Sequence, residues 1–236
     1  MEPAVELEEQ FVKNYFQKIK VYGISRKSSK FEHSNFTWIQ VDLCEEKSYE
    51  IILSKIKEEK IDLLVNNAGV CFEVNGLEFT NNNFESMFFT NFRAPILLTQ
   101  ALKNKLNDGL VINISSVSDR IVGEKYGLYC SSKAALNKYF EIIALEEKQI
   151  KFISILPSFV DTPLLQVIQK DNNCFDWKGT LKPYQLADFV KSLIESVNKF
   201  TSGAKIIVVT NSLIDDLKYI EDLWGYNVDT KELYKL

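Results

Sequence analysis

"IDLLVNNAG", residues 61–69, starts as a strand and ends as something else. Its first half is near-continuously apolar, the pattern of a strand covered on both faces in a parallel sheet. Its second half puts polar residues where a generic strand would simply turn. The form recurs. "GLVINISS" (109–116) runs into "SSVS" (115–118), and "KFISILP" (151–157) runs into "PSFVDTP" (157–163). "IKVYGIS" (19–25), "FTWIQVDL" (36–43) and "AKIIVV" (204–209) read as further strands, rich in Val and Ile.

Helical stretches fall between them, at 5–18, 46–59, 81–106, 126–148, 161–171 and 183–199. Strands alternating with helices of this length predict β-α-β units with right-handed crossovers. The expected fold is α/β, a Rossmann-like doubly wound parallel sheet in three α/β/α layers. We read residues 1–236 as one domain, with 209–236 as a C-terminal tail. In that tail Leu213, Leu217, Ile220 and Leu223–Trp224 have helical spacing. Ligands bind such sheets at the carboxyl ends of the strands.

Composition narrows the function. Apolar residues make up 46% and charged residues 25%, as in ordinary globular proteins. The net charge of −4 offers no basic footprint for nucleic acid. No apolar run is long enough for a membrane span, and the acidic start "MEPAVELEEQ" is not laid out as a signal peptide. Cys44, Cys71, Cys130 and Cys174 are scattered, with no C-x-x-C pair, so no metal site is expected and reduced thiols of a cytoplasmic protein are. His33 is the single histidine, which leaves a mechanism built on a histidine base without support.

"LYCSSKAAL" (128–136) sets Tyr129 four residues before Lys133, on one helix face. With 10 Tyr and 28 Lys+Arg in the chain, that spacing arises by chance. Its weight comes from the helix following "SSVS" directly, which turns both side chains toward that strand end. Tyr126 lies on the same face, but no lysine follows it at that spacing.

"DLLVNNAG", "TNFRAPILLTQAL", "VINISSVS", "YCSSKAAL" and "PSFVDTPL" stand in an order and spacing that resembles the short-chain dehydrogenase/reductase family, over about residues 19–209. The resemblance implies an NAD(P)-dependent oxidoreductase that interconverts a carbonyl and an alcohol, a small molecule, by hydride transfer. Tyr129 would be the general acid in reduction and the base in oxidation. Lys133 would lower the phenol's pKa and hold the nicotinamide ribose. Ser116 would hydrogen-bond the substrate oxygen, with Ser115 and Ser118 as alternatives for that role. Asn91, in "TNFRAP", would support a water-mediated proton relay to the lysine. By the same resemblance Asn66 ties strands together and Asn67 lies by the cofactor ribose. Asp42 and Leu43 would flank adenine, and Val160 and Thr162 would contact the nicotinamide amide. Serine replaces the usual glycine in Pro157-Ser158, so the local geometry there is expected to differ.

Arg26, in "GISRKS", favours NADP(H) over NAD(H), because a guanidinium makes charge-assisted bonds to a 2′-phosphate. A solvent-exposed arginine at a strand end is the alternative. The segment 163–183 offers Leu164, Leu165, Ile168, Phe175 and Trp177, which suit an apolar or aromatic carbonyl compound or pack the lid onto the core. The long helices 81–106 and 126–148 are where the family forms homodimers or homotetramers.

One departure stands out. The first glycine of the chain is Gly23, so the family's glycine-rich turn has no counterpart before the strand at 19–25. The fold is therefore expected to be N-terminally incomplete, with a gap or a rearranged edge in the sheet. A non-catalytic, SDR-like binding or scaffold protein without the phosphate loop is the alternative function.

Overall fold

The computed structural model describes residues 19–28, 31–121, 123–170, 172–213 and 223–235. The helix expected at 5–18 lies outside these residues, as do Leu217 and Ile220 of the tail.

Parallel strands and helices alternate as the apolar runs require. β1 (Val21–Ser25) and β2 (Phe36–Gln40) precede α1 (Lys47–Lys55) and β3 (Leu63–Asn66). A long helical stretch follows: α2 (Asn81–Phe88), a π turn (Phe89–Arg93) and α3 (Ala94–Leu102). Then come β4 (Leu110–Ile114), α4 (Gly127–Glu146), β5 (Lys151–Pro157), α5 (Pro163–Ile168), α6 (Pro183–Glu195) and β6 (Ala204–Val209). β7 (Trp224–Asn227) and β8 (Glu232–Lys235) close the chain.

These strands form two sheets. β1 and β2 pair in parallel by themselves, and the other six follow the order β3-β4-β5-β6-β7-β8, with only β7–β8 antiparallel. Helices cover both faces of the larger sheet, giving the three layers. On one face Leu186, Phe189, Val190 and Leu193 of α6 pack on Ile112, Ile153, Ile155 and Ile206. On the other, α1, α3 and α4 bury Ile52, Leu98, Leu102, Leu136 and Phe140 against Val111 and Phe152. Each fully buried side chain of this size contributes about 1.5–3 kcal/mol. The sheet is also tied by polar groups: Asn66 Nδ2 donates to Asn113 Oδ1 at 2.8 Å, between β3 and β4, and to Thr99 Oγ1 of α3 at 3.3 Å.

The helix expected unbroken over 81–106 contains the π turn, where Ala94 N donates to Phe89 O. Pro95 has no N–H for the carbonyl of Asn91, so the α-helical ladder cannot pass through that residue. The C-terminal tail departs further. Trp224, read from its spacing as helical, begins β7, whose residues alternate between part-buried and buried. Trp224 packs edge-on to Phe200 at 5.6 Å and Tyr226 lies 4.3 Å from Phe189, so alternate side chains cover α6 and the chain beyond it. Gly225 between them is required: a Cβ there would sit 2.4 Å from the Tyr234 ring of β8. Aromatic residues at period two outweigh the leucine spacing here. Among the described residues, no helix is long and apolar enough to cross a membrane.

Candidate active site

The carboxyl ends of β3, β4 and β5 open into one cavity of about 300 Å³. Asn67 and Gly69 reach it from β3, Ser115, Ser116 and Ser118 from β4, and Pro157, Ser158, Val160 and Thr162 from β5. Tyr129 and Lys133 enter from the first turns of α4. The sequence explains why they converge. The turn after β4 is only long enough for one 3-10 turn, Val117–Asp119, and a short loop before α4 begins.

Ser116 caps that turn. Its Oγ accepts from Ser118 N at 3.1 Å and lies 3.1 Å from Ser118 Oγ. Lys133 is 4% exposed, and its ammonium donates to the carbonyl of Ile114 at 3.0 Å. Desolvation pulls its pKa down to about 8. The Tyr129 phenol is pushed well above its ordinary value, first by desolvation and then by Cys71, while its hydrogen bond with Ser116 pulls the other way. Lys133 was expected to lower this pKa; here burial wins, and the phenol holds its proton.

Asn91 sits behind the cavity, fully buried. Its Oδ1 accepts from Val70 N at 2.8 Å. Its Nδ2 donates to Val70 O at 2.8 Å and Ser132 Oγ at 3.0 Å. The side chain is thus spent on clamping the loop after β3 against α4. Gly69, inside that loop, lies beside both: a Cβ there would stand in ordinary contact with Asn91 Oδ1 at 3.5 Å and Lys133 Nζ at 3.6 Å.

The structure brings together Asn67, Ser116, Tyr129, Lys133, Val160 and Thr162, all of which line the cavity. It sets Arg26, Asp42 and Leu43 apart from that cavity, just past the carboxyl ends of β1 and β2. Arg26 is exposed just past β1. Asp42 Oδ1 accepts from Cys44 N at 2.9 Å in the turn before α1, and Leu43 lines the cleft between the sheets. Ser158 does not adopt a positive φ, so the serine there is unstrained.

Two observations add to the reading from sequence. The hydroxyls of Ser115 and Ser158 are buried at the cavity without a hydrogen-bond partner. Unpaired buried hydroxyls are costly, and both are placed to bond a polar ligand. Their chemistry suits a ligand with hydrogen-bonding groups, such as a nicotinamide cofactor. Tyr126, which lines the cavity, donates from Oη to Glu73 Oε1 at 2.6 Å. Nothing in the spacing of the sequence signals that pair. Among the described residues, no group of His, Cys, Asp and Glu is arranged to hold a metal ion.

Comparison with known proteins agrees with this fold. The family model for short chain dehydrogenase matches residues 18–173. The chain belongs to the short-chain dehydrogenase family. It is 31% identical over 163 residues to an uncharacterized oxidoreductase of Saccharomyces cerevisiae, spanning 64% of this chain and 64% of that protein. It is 26% identical over 168 residues to a benzil reductase ((S)-benzoin forming) of Bacillus subtilis, spanning 65% of this chain and 69% of the relative. The fold matches the crystal structure of a short chain dehydrogenase family protein from Francisella tularensis, with a TM-score of 0.78 and 22% identity, covering 85% of this chain and 91% of that one.

Proposed function

We propose that this protein is an oxidoreductase that interconverts a carbonyl and an alcohol with NADP(H), in preference to NAD(H). The observation that carries the proposal is the meeting of Ser116, Tyr129 and Lys133 in one cavity at the strand ends. When bound, a reduced nicotinamide would supply a hydride to the carbonyl carbon. Tyr129 Oη, which keeps its proton, donates it to the carbonyl oxygen as charge develops there. Ser116 Oγ supports that oxygen. Lys133 sits beneath the phenol, where its charge stabilises the tyrosinate left behind. Asn67, Val160 and Thr162, with Ser115 and Ser158, would hold the nicotinamide half, and Asp42 and Leu43 the adenine. Arg26 supports the NADP(H) choice through its charge at the end of β1.

Lys133 is the one ionisable cation or anion of Asp, Glu, Arg, Lys type among the residues lining the cavity, and the rest of the wall includes Val117, Ile121, Leu164 and Ile168. Phe159 lines it and packs edge-to-face on Phe175 at 5.2 Å, and Phe175 packs on Trp177 at 4.9 Å. An uncharged, aryl-bearing ketone suits these surfaces. Phe84 and Phe89 on one long helical stretch, and Ile142 and Leu145 on α4, are exposed. They support a homodimer or homotetramer through those helices, in the cytoplasm. The test is consumption of NADPH with benzil as substrate. The expected result is turnover with NADPH faster than with NADH; no turnover with either cofactor across a panel of ketones would overturn the proposal.

A further inference from the structure

Tyr129, Lys133 and Asn137 follow one another at four-residue steps on α4, so they form one stripe along a single helix face. The first two line the cavity. Asn137 lies one turn further along, 2% exposed, in a stretch that otherwise buries Leu136, Phe140 and Ala144. A side chain that served packing alone would need no amide there. Its Nδ2 donates to Oδ2 of Asp119, in the turn after β4. Its Oδ1 is buried without a partner, a penalty that an apolar residue at this position would not carry. Turning the amide over would set that oxygen against a carboxylate, so the bond to Asp119 also fixes its orientation.

The Asp119 side chain is 6% exposed, and its Oδ1 lies 2.9 Å from Arg120 Nε in an ion pair. Its carboxylate belongs to the short turn that carries Ser116. The sheet holds the chain as far as Ser115, whose N–H donates to Ile155 O of β5 at 2.7 Å. Ser116 lies past that pairing, in a turn whose bonds close on itself. Asp119 N donates to Ser116 O at 3.2 Å, Arg120 N to Val117 O at 2.8 Å, and Ser118 N to Ser116 Oγ at 3.1 Å. Such a turn moves as a unit, and the bond to Asn137 sets where it sits. α4 thus grips the chain on both sides of the serine. Lys133 Nζ donates to Ile114 O at 3.0 Å, two residues before it, and Asn137 bonds Asp119, three residues after it.

We propose that Asp119 and Asn137 are positioning residues, which fix Ser116 against Tyr129 by tying the turn after β4 to α4. The inference rests on the role proposed above for Ser116. Ser116 and Tyr129 come from separate elements, and the reaction requires both on one carbonyl oxygen. Misplacement by about 1 Å costs on the order of 100-fold in rate.

The test is a double-mutant cycle on NADPH-dependent reduction of benzil, with Asp119→Ala and Ser116→Ala. Asp119→Ala is expected to lower kcat by about 10–100-fold and to leave the KM for NADPH within about twofold. In the Ser116→Ala background the same change should cost less than about threefold, since no serine is left to place. Asn137→Ala breaks the bond from the other side and should behave alike. Asp119→Asn keeps an acceptor for the amide and should recover most of the rate. Equal losses in both backgrounds, the mark of a general fold defect, would overturn the proposal. Hydrogen exchange needs no turnover. The amides of Ser118 and Asp119 should exchange at least about tenfold faster in Asn137→Ala, while that of Ile112 in β4 keeps its rate. Unchanged Ser118 and Asp119 amides would also overturn it. Full activity of Ser116→Ala would instead overturn the proposed part of Ser116 in the reaction, while the exchange measurement still tests the tie, so the two fail separately.

Discussion

The ammonium of Lys133 lies 5.8 Å from the centroid of the Tyr129 ring, held there by the carbonyl of Ile114 at 3.0 Å. One turn of α4 separates the two residues, so the helix sets this relation and the end of β4 fixes it. The lysine is thereby buried beneath the phenol rather than left in solvent.

The phenol of Tyr129 is the proposed proton donor. Tyr129→Phe removes the proton and keeps the ring. We expect kcat to fall by about 10²–10⁴-fold, the usual worth of a general acid, with the melting temperature essentially unchanged. Steady-state kinetics and thermal unfolding on the same preparation check both.

Burial of Lys133 makes stability depend on pH. Its pKa is pulled from 10.5 to about 8, so between those values the unfolded chain holds more protons than the native one. Stability on this account therefore rises with pH from about 8 toward 10.5, gaining on the order of 2 kcal/mol by pH 9.5. Tyr129 opposes the trend above its ordinary value of 10, because its folded pKa is higher still and the native state then holds the extra proton. Lys133→Met should abolish the rise between pH 7 and 9.5. Denaturant midpoints across that range, for both proteins, are the measurement.

Asn91 holds both backbone groups of Val70 and the hydroxyl of Ser132. Asn91→Ala leaves these partners unsatisfied, and we expect a loss of about 2–4 kcal/mol in stability. Exchange of the Val70 amide should speed up with it. An unchanged Val70 amide would show that the clamp does not order the loop.

Arg26 discriminates between the cofactors. Arg26→Ala should weaken NADPH binding by about 10–100-fold, the worth of charge-assisted hydrogen bonds to a phosphate, and leave NADH binding within about twofold. Fluorescence titration with each cofactor compares them. An equal loss for both would assign Arg26 a structural part.

Much of this was legible in the sequence, for physical reasons. β3 to β6 are buried on both faces, so they read as unbroken apolar runs. The residues at their ends stand out because polar groups follow at once. Three things were hidden. The π turn depends on Pro95 facing the carbonyl of Asn91, a backbone conflict that side-chain periodicity does not report. β7 was masked by apolar residues at helical spacing up to Trp224, and Trp224 and Tyr226 show their period only against Phe200 and Phe189. The direction of the Tyr129 pKa depended on how deeply the cavity desolvates the phenol, which spacing to Lys133 cannot give. The apolar lining of the cleft between the two sheets is what the structure adds.

The most direct test of the central claim is the rate of NADPH oxidation with benzil by the purified protein, measured beside its Tyr129→Phe variant. The account predicts turnover by the protein and a loss of at least about 100-fold in the variant. Equal rates from the two would contradict it, because the proton would then come from a group other than Tyr129.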